Sequence, residues 1–254
     1  MNPTNLSHMT IVGWESKYRE ILKDFGYSRT EDKQSCQLLN SLLQKKSPIV
    51  EIRDLIENKP VFVIGAGPSL PSCISILKKY KKITKIVADG ATKAMIENGL
   101  KPDIVVTDLD GDITSLKKAG RTNTIMVVHS HGDNSEKIHF VKHFRNCIGT
   151  TQTKPMGRVK NFGGFTDGDR CVFLADYFHA KKIILLGMDF GTKIGRYSKK
   201  KVDNRAIKIA KLRRGKKLLE WLAKKSKSNL YSTTKIKGFT KINVRKIENI
   251  IANS

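Results

Sequence analysis

Several carboxylates follow directly after a short apolar stretch of the chain. Residues 104–106 (Ile-Val-Val) predict a buried parallel strand, and Asp108, Asp110 and Asp112 come where such a strand leaves its sheet. Like charges this close are unfavourable without a cation, and Mg²⁺ prefers a few carboxylates together with phosphate oxygens and waters. An Asp-Gly pair at 110–111 is also common in turns, so a solvated acidic turn stays open as the alternative.

Four other apolar stretches also end in polar or glycine residues. Ligands of open α/β sheets bind beyond the carboxyl ends of the strands, so we expect these residues to converge on one edge of a parallel sheet. No Ser or Cys lies in a nucleophile elbow, which argues against covalent catalysis. The residues are Gly65 and Gly67 after 61–64, Asp89 at the end of 85–89, His129 and His131 after 125–128, and Asp189 after 182–186.

The glycines Gly65 and Gly67 lie between a predicted strand and a predicted helix. Backbone N–H groups can approach an anion at such a turn, and the helix N-terminus adds a partial positive charge. The motif is weak by itself, because no Gly-Lys-Ser/Thr follows and the third Rossmann glycine is missing. Asp89 lies 24 positions after Gly65, where a dinucleotide enzyme places a ribose-binding acid. Metal-assisted phosphate chemistry explains Asp89 and the acidic cluster together, and we favour it.

The fourth strand end carries two histidines followed by Gly-Asp-Asn. His129 and His131 alternate, so both side chains leave the same face of the strand. Such a group seldom serves packing, and it indicates a functional role for Asp133 and Asn134 as well. We expect the following helix to be capped by Asn134 or Ser135.

A glycine-rich loop over 161–170 opens another predicted helix. Its glycines permit positive φ and close approach of a ligand, and Thr166 or Asp167 suits the cap position. Asp167, Asp169 and Arg170 are therefore candidates for contact with that ligand.

The periodicity of apolar residues predicts an α/β fold with a Rossmann-like, mostly parallel sheet flanked by helices. Residues 1–58 form a helical N-terminal region, including a helix over 14–25, and are expected to serve as packing scaffold. Residues 59–195 form the Rossmann-like catalytic domain, and 196–254 form a basic C-terminal helix and short strand packing on it. The apolar residues of that helix share an arc of about 120°: Ile207, Ala210, Leu218, Trp221 and Leu222.

The formal net charge of +25 is concentrated near the C-terminus. Residues 193–254 hold 20 Lys and Arg against 3 acids. A basic face can bind nucleic acid through counterion release. However, Lys outnumbers Arg there, and no aromatic ladder or zinc-finger spacing accompanies it. We therefore expect a solvated surface that attracts anionic substrates, and no nucleic-acid partner.

Composition also bears on location. No apolar run reaches the roughly 18 residues that a membrane span needs, and residues 1–10 show no secretory signal pattern. The four cysteines are far apart and form no C-x-x-C pair, which is typical of reduced thiols. We expect a cytoplasmic protein without a membrane partner. A homo-oligomer is one option for its assembly.

Six short blocks of the sequence carry a resemblance to a known family. They occupy residues 65–70 (Gly-Ala-Gly-Pro-Ser-Leu), 88–92 (Ala-Asp-Gly-Ala-Thr), 102–112 (Pro-Asp-Ile-Val-Val-Thr-Asp-Leu-Asp-Gly-Asp), 129–134 (His-Ser-His-Gly-Asp-Asn), 164–170 (Gly-Phe-Thr-Asp-Gly-Asp-Arg) and 187–190 (Gly-Met-Asp-Phe). In this order they resemble the archaeal MptE-like 6-hydroxymethyl-7,8-dihydropterin pyrophosphokinases, and the resemblance covers about 60–192. The Ala-Asp-Gly and Asp-Leu-Asp blocks are also similar to those of thiamine pyrophosphokinases.

The resemblance implies Mg²⁺-dependent transfer of diphosphate from ATP to the hydroxymethyl group of the pterin, releasing AMP, in tetrahydromethanopterin or folate-type cofactor synthesis. It assigns the site residues in four groups. Metal binding falls to Asp89, Asp108, Asp110 and Asp112; ATP or phosphate binding to Gly65, Gly67, Ser69, Asp89, Gly90 and Arg170; substrate binding to Asp167, Asp169 and Asp189; and catalysis to Asp108, Asp110, His129, His131, Asp133 and Asn134.

Alternatives remain beside this expectation. A related MptE-like domain occurs in proteins thought to transfer nonulosonic acid sugars in bacterial motility systems, so a nucleotide-sugar glycosyltransferase is one. A thiamine pyrophosphokinase, a dinucleotide oxidoreductase and a nucleic-acid-binding protein are the others.

Overall fold

We describe the fold from a computed structural model. The structure describes residues 11–198 and 204–252. Residues 1–10, 199–203 and 253–254, which belong to the predicted terminal regions, lie outside these ranges.

Within the described residues, nine strands form one sheet, and every neighbouring pair is parallel. This confirms the predicted α/β class. The apolar runs that predicted strands are all in the sheet, and β5, β6 and β9 are additions to them. The strands are β1 (Pro60–Ile64), β2 (Thr84–Ala88), β3 (Ile104–Thr107), β4 (Ile125–Ser130), β5 (Asn146–Thr151), β6 (Val159–Lys160), β7 (Lys182–Leu186), β8 (Asn229–Ser232) and β9 (Thr240–Lys241).

Helices connect the strands and cover both faces of the sheet. The predicted helix over 14–25 is confirmed as the first of them. A 3-10 helix, Gly132–His143, stands where an α-helix was expected after β4. The α-helices are α1 (Trp14–Phe25), α2 (Arg29–Leu42), α3 (Ile49–Ile56), α4 (Leu70–Lys79), α5 (Asp89–Glu97), α6 (Ile113–Gly120), α7 (Asp167–Tyr177), α8 (Arg205–Leu222) and α9 (Ile247–Ala252).

Two apolar layers lie on opposite faces of the sheet. In β1, Val61 and Val63 belong to the layer under α1, α3, α7 and α8, whereas Phe62 and Ile64 belong to the layer under α2, α4, α5, α6 and α9. Because both faces are covered, the strands are apolar throughout rather than alternating, as parallel strands usually are.

The order of strands reverses beside β1. From β1 the sheet runs β2, β3, β4, β5 and β6 in one direction and β7, β8 and β9 in the other. The loops after β1 and β7 therefore turn to opposite faces and leave a crevice at the carboxyl edge, which is where open α/β sheets bind ligands.

The helix α8 packs on the sheet through only part of its length. Leu218, Leu219 and Leu222 are buried. Ile207 is 48% exposed and Ala210 is exposed too, so the predicted place of both on the buried face is wrong. The first turns of α8 border the crevice instead of the core. None of the described helices combines the length and hydropathy needed to cross a bilayer.

Candidate active site

Four carboxylates meet at the carboxyl edge of the sheet. One oxygen from each of Asp89, Asp108, Asp110 and Asp167 lies within 4.8 Å of the corresponding oxygens of the others. Asp89 follows β2, Asp108 and Asp110 follow β3, and Asp167 begins α7. Three of them come from adjacent strand ends, as the sequence predicts. We call these four residues the carboxylate cluster.

The backbone after β3 allows two acids of one loop to reach the same point. Leu109, between them, has a φ of 67°, which is uncommon for a residue with a side chain. Its N–H donates to the Thr107 hydroxyl at 2.8 Å, and its side chain is buried. Gly111 leaves room for Asp89, since a Cβ there would lie 1.7 Å from Asp89 Oδ1. The Leu and Gly of this motif therefore fix the geometry of the carboxylates around them.

Asp89 is the most deeply buried member of the carboxylate cluster. Its Oδ2 accepts hydrogen bonds from the Thr107 hydroxyl at 2.5 Å and from the Gly111 N–H at 3.2 Å. Its Oδ1 is buried and has no hydrogen-bond partner among the described residues. Burial, and then the negative charge of Asp108, raise the pKa of Asp89 to about 7. The site therefore disfavours a full set of negative charges.

Asp108 and Asp167 respond in opposite directions to this crowding. Burial opposes ionisation of Asp108, but the imidazole of His131, 3.6 Å from Asp108 Oδ2, and the charge of Arg170 together outweigh it and lower the pKa of Asp108. Burial and the charge of Asp108 raise the pKa of Asp167 well above its ordinary value, although Arg170 Nη1 lies 3.1 Å from Asp167 Oδ1.

The donor set suits a hard divalent cation. All four groups offer carboxylate oxygens, which Mg²⁺ prefers, and two buried oxygens, Asp89 Oδ1 and Asp108 Oδ1, lack a hydrogen-bond partner among the described residues. A cation there would satisfy both oxygens and relieve the repulsion that, after burial, contributes to the raised pKa values of Asp89 and Asp167.

The histidine motif begins within β4 and continues into the turn that follows, where His131 contacts the carboxylate cluster. His129 is buried, with Nδ1 at 3.1 Å from the Thr150 hydroxyl, and burial lowers its pKa well below the ordinary value, so the ring is neutral. His131 is the N-cap of the 3-10 helix, where Asn134 or Ser135 had been expected. Asp133 is exposed.

Asn134 connects two strand ends. Its Nδ2 donates to the backbone oxygens of Asp108 and His129, and its Oδ1 accepts from the N–H of His131. All three hydrogen-bonding positions are thus directed at the protein, which places Asn134 in a supporting role for the loops around it.

The N–H groups of the glycine loop after β1 already donate to the end of β7 and to the loop that follows it. The Gly65 N–H donates to Leu186 O at 2.9 Å, and the Gly67 N–H donates to Gly187 O at 2.8 Å. The N–H and hydroxyl of Ser69 both donate to Asp189 Oδ2, at 2.9 and 2.7 Å. These donors, which the sequence assigned to phosphate, hold the two loops of the crevice together.

A cleft with about 700 Å³ of space open to solvent occupies the crevice. Six predicted site residues line it: Gly65, Gly67, Gly90, Asp110, Asp167 and Asp189. Sequence reasoning missed Thr166, Phe190, Lys193, Lys208 and Leu212, which also line it. Thr166 was considered only as a cap, and Lys208 lies on a helix whose basic residues had been treated as one solvated face.

Three other predicted site residues serve the ends of helices or lie buried. Asp112 is the N-cap of α6, where its Oδ1 accepts from the N–H and hydroxyl of Ser115, and it lies outside the carboxylate cluster. Asp169 is buried and accepts from the N–H groups of Phe165 and Thr166 at the start of α7. Arg170 is buried beside Asp167 and does not line the cleft.

The fold and site together define a class. This is a Rossmann-like α/β enzyme whose carboxylates gather at the carboxyl edge of a parallel sheet, beside a cleft at its topological switch point. Residues 33–195 match the family model described as 6-hydroxymethylpterin diphosphokinase MptE-like. The chain belongs to this MptE-like family.

Similar proteins extend the match beyond that segment. The chain is 44% identical over 234 residues to a 6-hydroxymethyl-7,8-dihydropterin pyrophosphokinase of Methanocaldococcus jannaschii, covering 85% of this chain and 97% of that protein. It is 43% identical over 226 residues to the protein of the same name from Pyrococcus furiosus, covering 85% of this chain and 96% of the other.

A solved structure resembles the fold. The MAf glycosyltransferase from Magnetospirillum magneticum AMB-1 superposes with a TM-score of 0.60 at 12% identity, covering 87% of this chain. This chain spans 39% of that protein. At this identity the likeness concerns the architecture alone.

Proposed function

We propose that the protein transfers diphosphate from ATP to the hydroxymethyl group of 6-hydroxymethyl-7,8-dihydropterin, giving AMP and the pterin diphosphate. The observation that carries the proposal is the carboxylate cluster, Asp89, Asp108, Asp110 and Asp167, placed beside a cleft at the switch point of the sheet. Relatives at 43–44% identity bear the name of this activity, which supports the choice of pterin as acceptor.

We propose Mg²⁺ as the cofactor, held by the carboxylate cluster. The bound ion would neutralise phosphate charge and help to position the triphosphate. Asp167 takes the place that the sequence had given to Asp112 in this set. The paired arrangement of His131 with Asp108 and of Arg170 with Asp167 would keep both carboxylates oriented toward the ion.

The reaction joins the alcohol oxygen of the pterin to the β-phosphorus of ATP and breaks the bond between that phosphorus and the oxygen shared with the α-phosphate. AMP leaves, and the alcohol proton passes to a base. Such transfers depend mostly on positioning and charge neutralisation. We assign contact with the pterin to Asp189, which lines the cleft, and support of the His131 loop to Asn134.

The product would serve tetrahydromethanopterin or folate-type cofactor synthesis in the cytoplasm. The four thiols are unpaired, with Cys36, Cys73 and Cys171 buried, which agrees with a reducing compartment.

An incubation of the purified chain with ATP, Mg²⁺ and 6-hydroxymethyl-7,8-dihydropterin tests the proposal. AMP and pterin diphosphate are followed by chromatography, with thiamine as a parallel acceptor and Asp110→Asn as the matched variant. Pterin-dependent AMP that is lost in Asp110→Asn would support the assignment. AMP formed with thiamine alone would mean that thiamine, and not the pterin, is the acceptor. Absence of AMP with both acceptors would contradict the proposal.

A further inference from the structure

The cleft needs positive charge that the glycine loop does not supply. A nucleoside triphosphate is highly anionic, and the carboxylate cluster next to the cleft is anionic too. The N–H groups of Gly65, Gly67 and Ser69 already donate to the loop after β7. A polyphosphate in this cleft must therefore be stabilised by other groups as well as by a metal ion.

Two ammonium groups border the same cleft. Among the described residues that line it, Lys193 and Lys208 are those with cationic side chains. Lys193 is exposed on the connection after β7, and Lys208 is half-buried in the first turn of α8. They line the same cleft as Asp110 and Asp167, two members of the carboxylate cluster.

The packing of α8 explains why Lys208 faces inward. Lys208, Leu212 and Gly215 are spaced i, i+4 and i+7, so they share one face of the helix. A Cβ on Gly215 would lie 2.9 Å from Asp169 Oδ1 and 3.4 Å from the Thr166 hydroxyl. Because Gly215 lets the helix approach the start of α7 so closely, the same face carries Lys208 to the wall of the cleft.

The connection that holds Lys193 lies directly on the glycine loop. A Cβ on Gly195 would lie 2.0 Å from Ala66 O, and a Cβ on Gly90 would lie 2.8 Å from Tyr197 O. Lys193 also borders a neighbouring cleft with Lys216 and Lys235. The sequence suggested that the basic residues near the C-terminus form a solvated face. Lys193 and Lys208 instead line the cleft.

We infer that Lys193 and Lys208 bind the polyphosphate chain of a nucleoside triphosphate in the cleft that Asp110 and Asp167 of the carboxylate cluster also line. This inference rests on the proposed function and names the protein groups that neutralise its nucleotide. Charge-assisted hydrogen bonds from ammonium to phosphate oxygens are stronger than neutral ones. The two lysines would bind the nucleotide without contributing to binding of the acceptor pterin.

Equilibrium binding of α,β-methylene-ATP with Mg²⁺ tests the inference, because its carbon bridge replaces the oxygen at which the proposed reaction cleaves. Lys193→Met and Lys208→Met are compared with Lys217→Met. Lys217 is exposed on α8, nine residues from Lys208 and hence on the opposite face of the helix. We expect each cleft variant to bind the analogue about tenfold more weakly, with a shallower salt dependence. Lys217→Met should bind it like the original chain, and 6-hydroxymethyl-7,8-dihydropterin should bind equally to all.

The outcomes separate this inference from the function on which it rests. If the original chain binds the analogue and forms AMP, but the double variant Lys193→Met, Lys208→Met binds it within twofold, the inference is overturned and the function stands. If the original chain neither binds the analogue nor forms AMP, both fall. An equal loss of affinity for the analogue in Lys217→Met would mean that general surface charge causes the effect, and it would also overturn the inference. Far-UV circular dichroism of each variant establishes that it is folded.

Discussion

The buried carboxylate of Asp32 accepts a hydrogen bond of 2.9 Å from the backbone N–H of Gly132. Its other oxygen accepts from the Tyr18 hydroxyl at 2.6 Å and from Gln152 Nε2 at 2.9 Å. Gly132 directly follows His131, whose imidazole contacts the carboxylate cluster. The N-terminal helices, expected to be packing scaffold, therefore hold one loop of the candidate site through α2.

Replacing this carboxylate should loosen both the fold and the loop. Asp32→Ala leaves two buried donors and one partly buried donor without an acceptor, and we expect the free energy of unfolding to fall by about 3 kcal/mol. Tyr18→Phe removes one donor only, and about 1 kcal/mol is expected. Urea denaturation measures both. Equal losses of unfolding free energy in the two variants would show that the hydrogen bonds of Gly132 and Gln152 to Asp32 add nothing to stability.

The strands that the sequence identified are those with uninterrupted apolar runs. β1 and β7 are covered on both faces, so nearly every residue must be apolar, and the signal is strong. β5 was missed because it reads Asn-Cys-Ile-Gly-Thr-Thr, with a glycine in the middle. A Cβ on Gly149 would lie 2.9 Å from Leu39 Cδ2, so this residue is small because α2 lies against it. That tertiary contact has no local signature.

The same limit applies to the candidate site. Asp89, Asp108 and Asp110 follow adjacent strands, so their meeting could be predicted from the parallel order. The sequence could not show which of Asp112 and Asp167 caps a helix and which joins the carboxylate cluster, because an Asp before a helix serves equally well as an N-cap or as a ligand. The fold uses Asp112 as a cap and brings Asp167 to the carboxylate cluster through α7, whose position on the sheet is a tertiary property.

Replacing each acid by asparagine should distinguish the role of Asp167 from that of Asp112. Asp167→Asn removes a charge from the carboxylate cluster, and we expect kcat to fall by about a hundredfold or more with the fold intact, as is usual when charge that stabilises the transition state is lost. Asp112→Asn keeps a good N-cap, so both kcat and the free energy of unfolding should change little. Steady-state kinetics with ATP and pterin measure the difference. A hundredfold loss in Asp112→Asn would return that residue to the metal site.

The carboxylate cluster should make the metal-free chain less stable as pH rises. Burial, followed by the charge of Asp108, raises the pKa of Asp89 from an ordinary 3.8 to about 7. Between these values the folded state binds more protons than the unfolded state, so the free energy of unfolding falls as pH increases from about 4 to 7. Thermal unfolding in a chelator, measured across this range, should show the decline, and Asp89→Asn should make it shallower, because only the contribution of Asp167, whose pKa is also raised, then remains from the carboxylate cluster.

Mg²⁺ should reverse this decline where the carboxylates are ionised. A ligand that binds only the folded state stabilises it, and binding to these oxygens competes with protons. The increase in Tm on adding Mg²⁺ should therefore be larger at pH 8 than at pH 5. An equal increase at both values, or the same increase in Asp110→Asn, would contradict binding at the carboxylate cluster.

The contact between the loops after β1 and β7 offers a final test, through Gly67. A Cβ at this position would lie 2.2 Å from Asp189 Oδ2 and 2.6 Å from Gly187 O, so Gly67→Ala must push Asp189 away from Ser69 and separate the loops. Overpacking of this kind costs about 2 kcal/mol. Gly191→Ala is the matched control, because no atom lies within 4 Å of its added Cβ. We expect urea denaturation to show the loss in Gly67→Ala alone, together with weaker nucleotide binding. Equal stability of the two variants would mean that the glycine is not required for loop packing, and would reopen its assignment to phosphate.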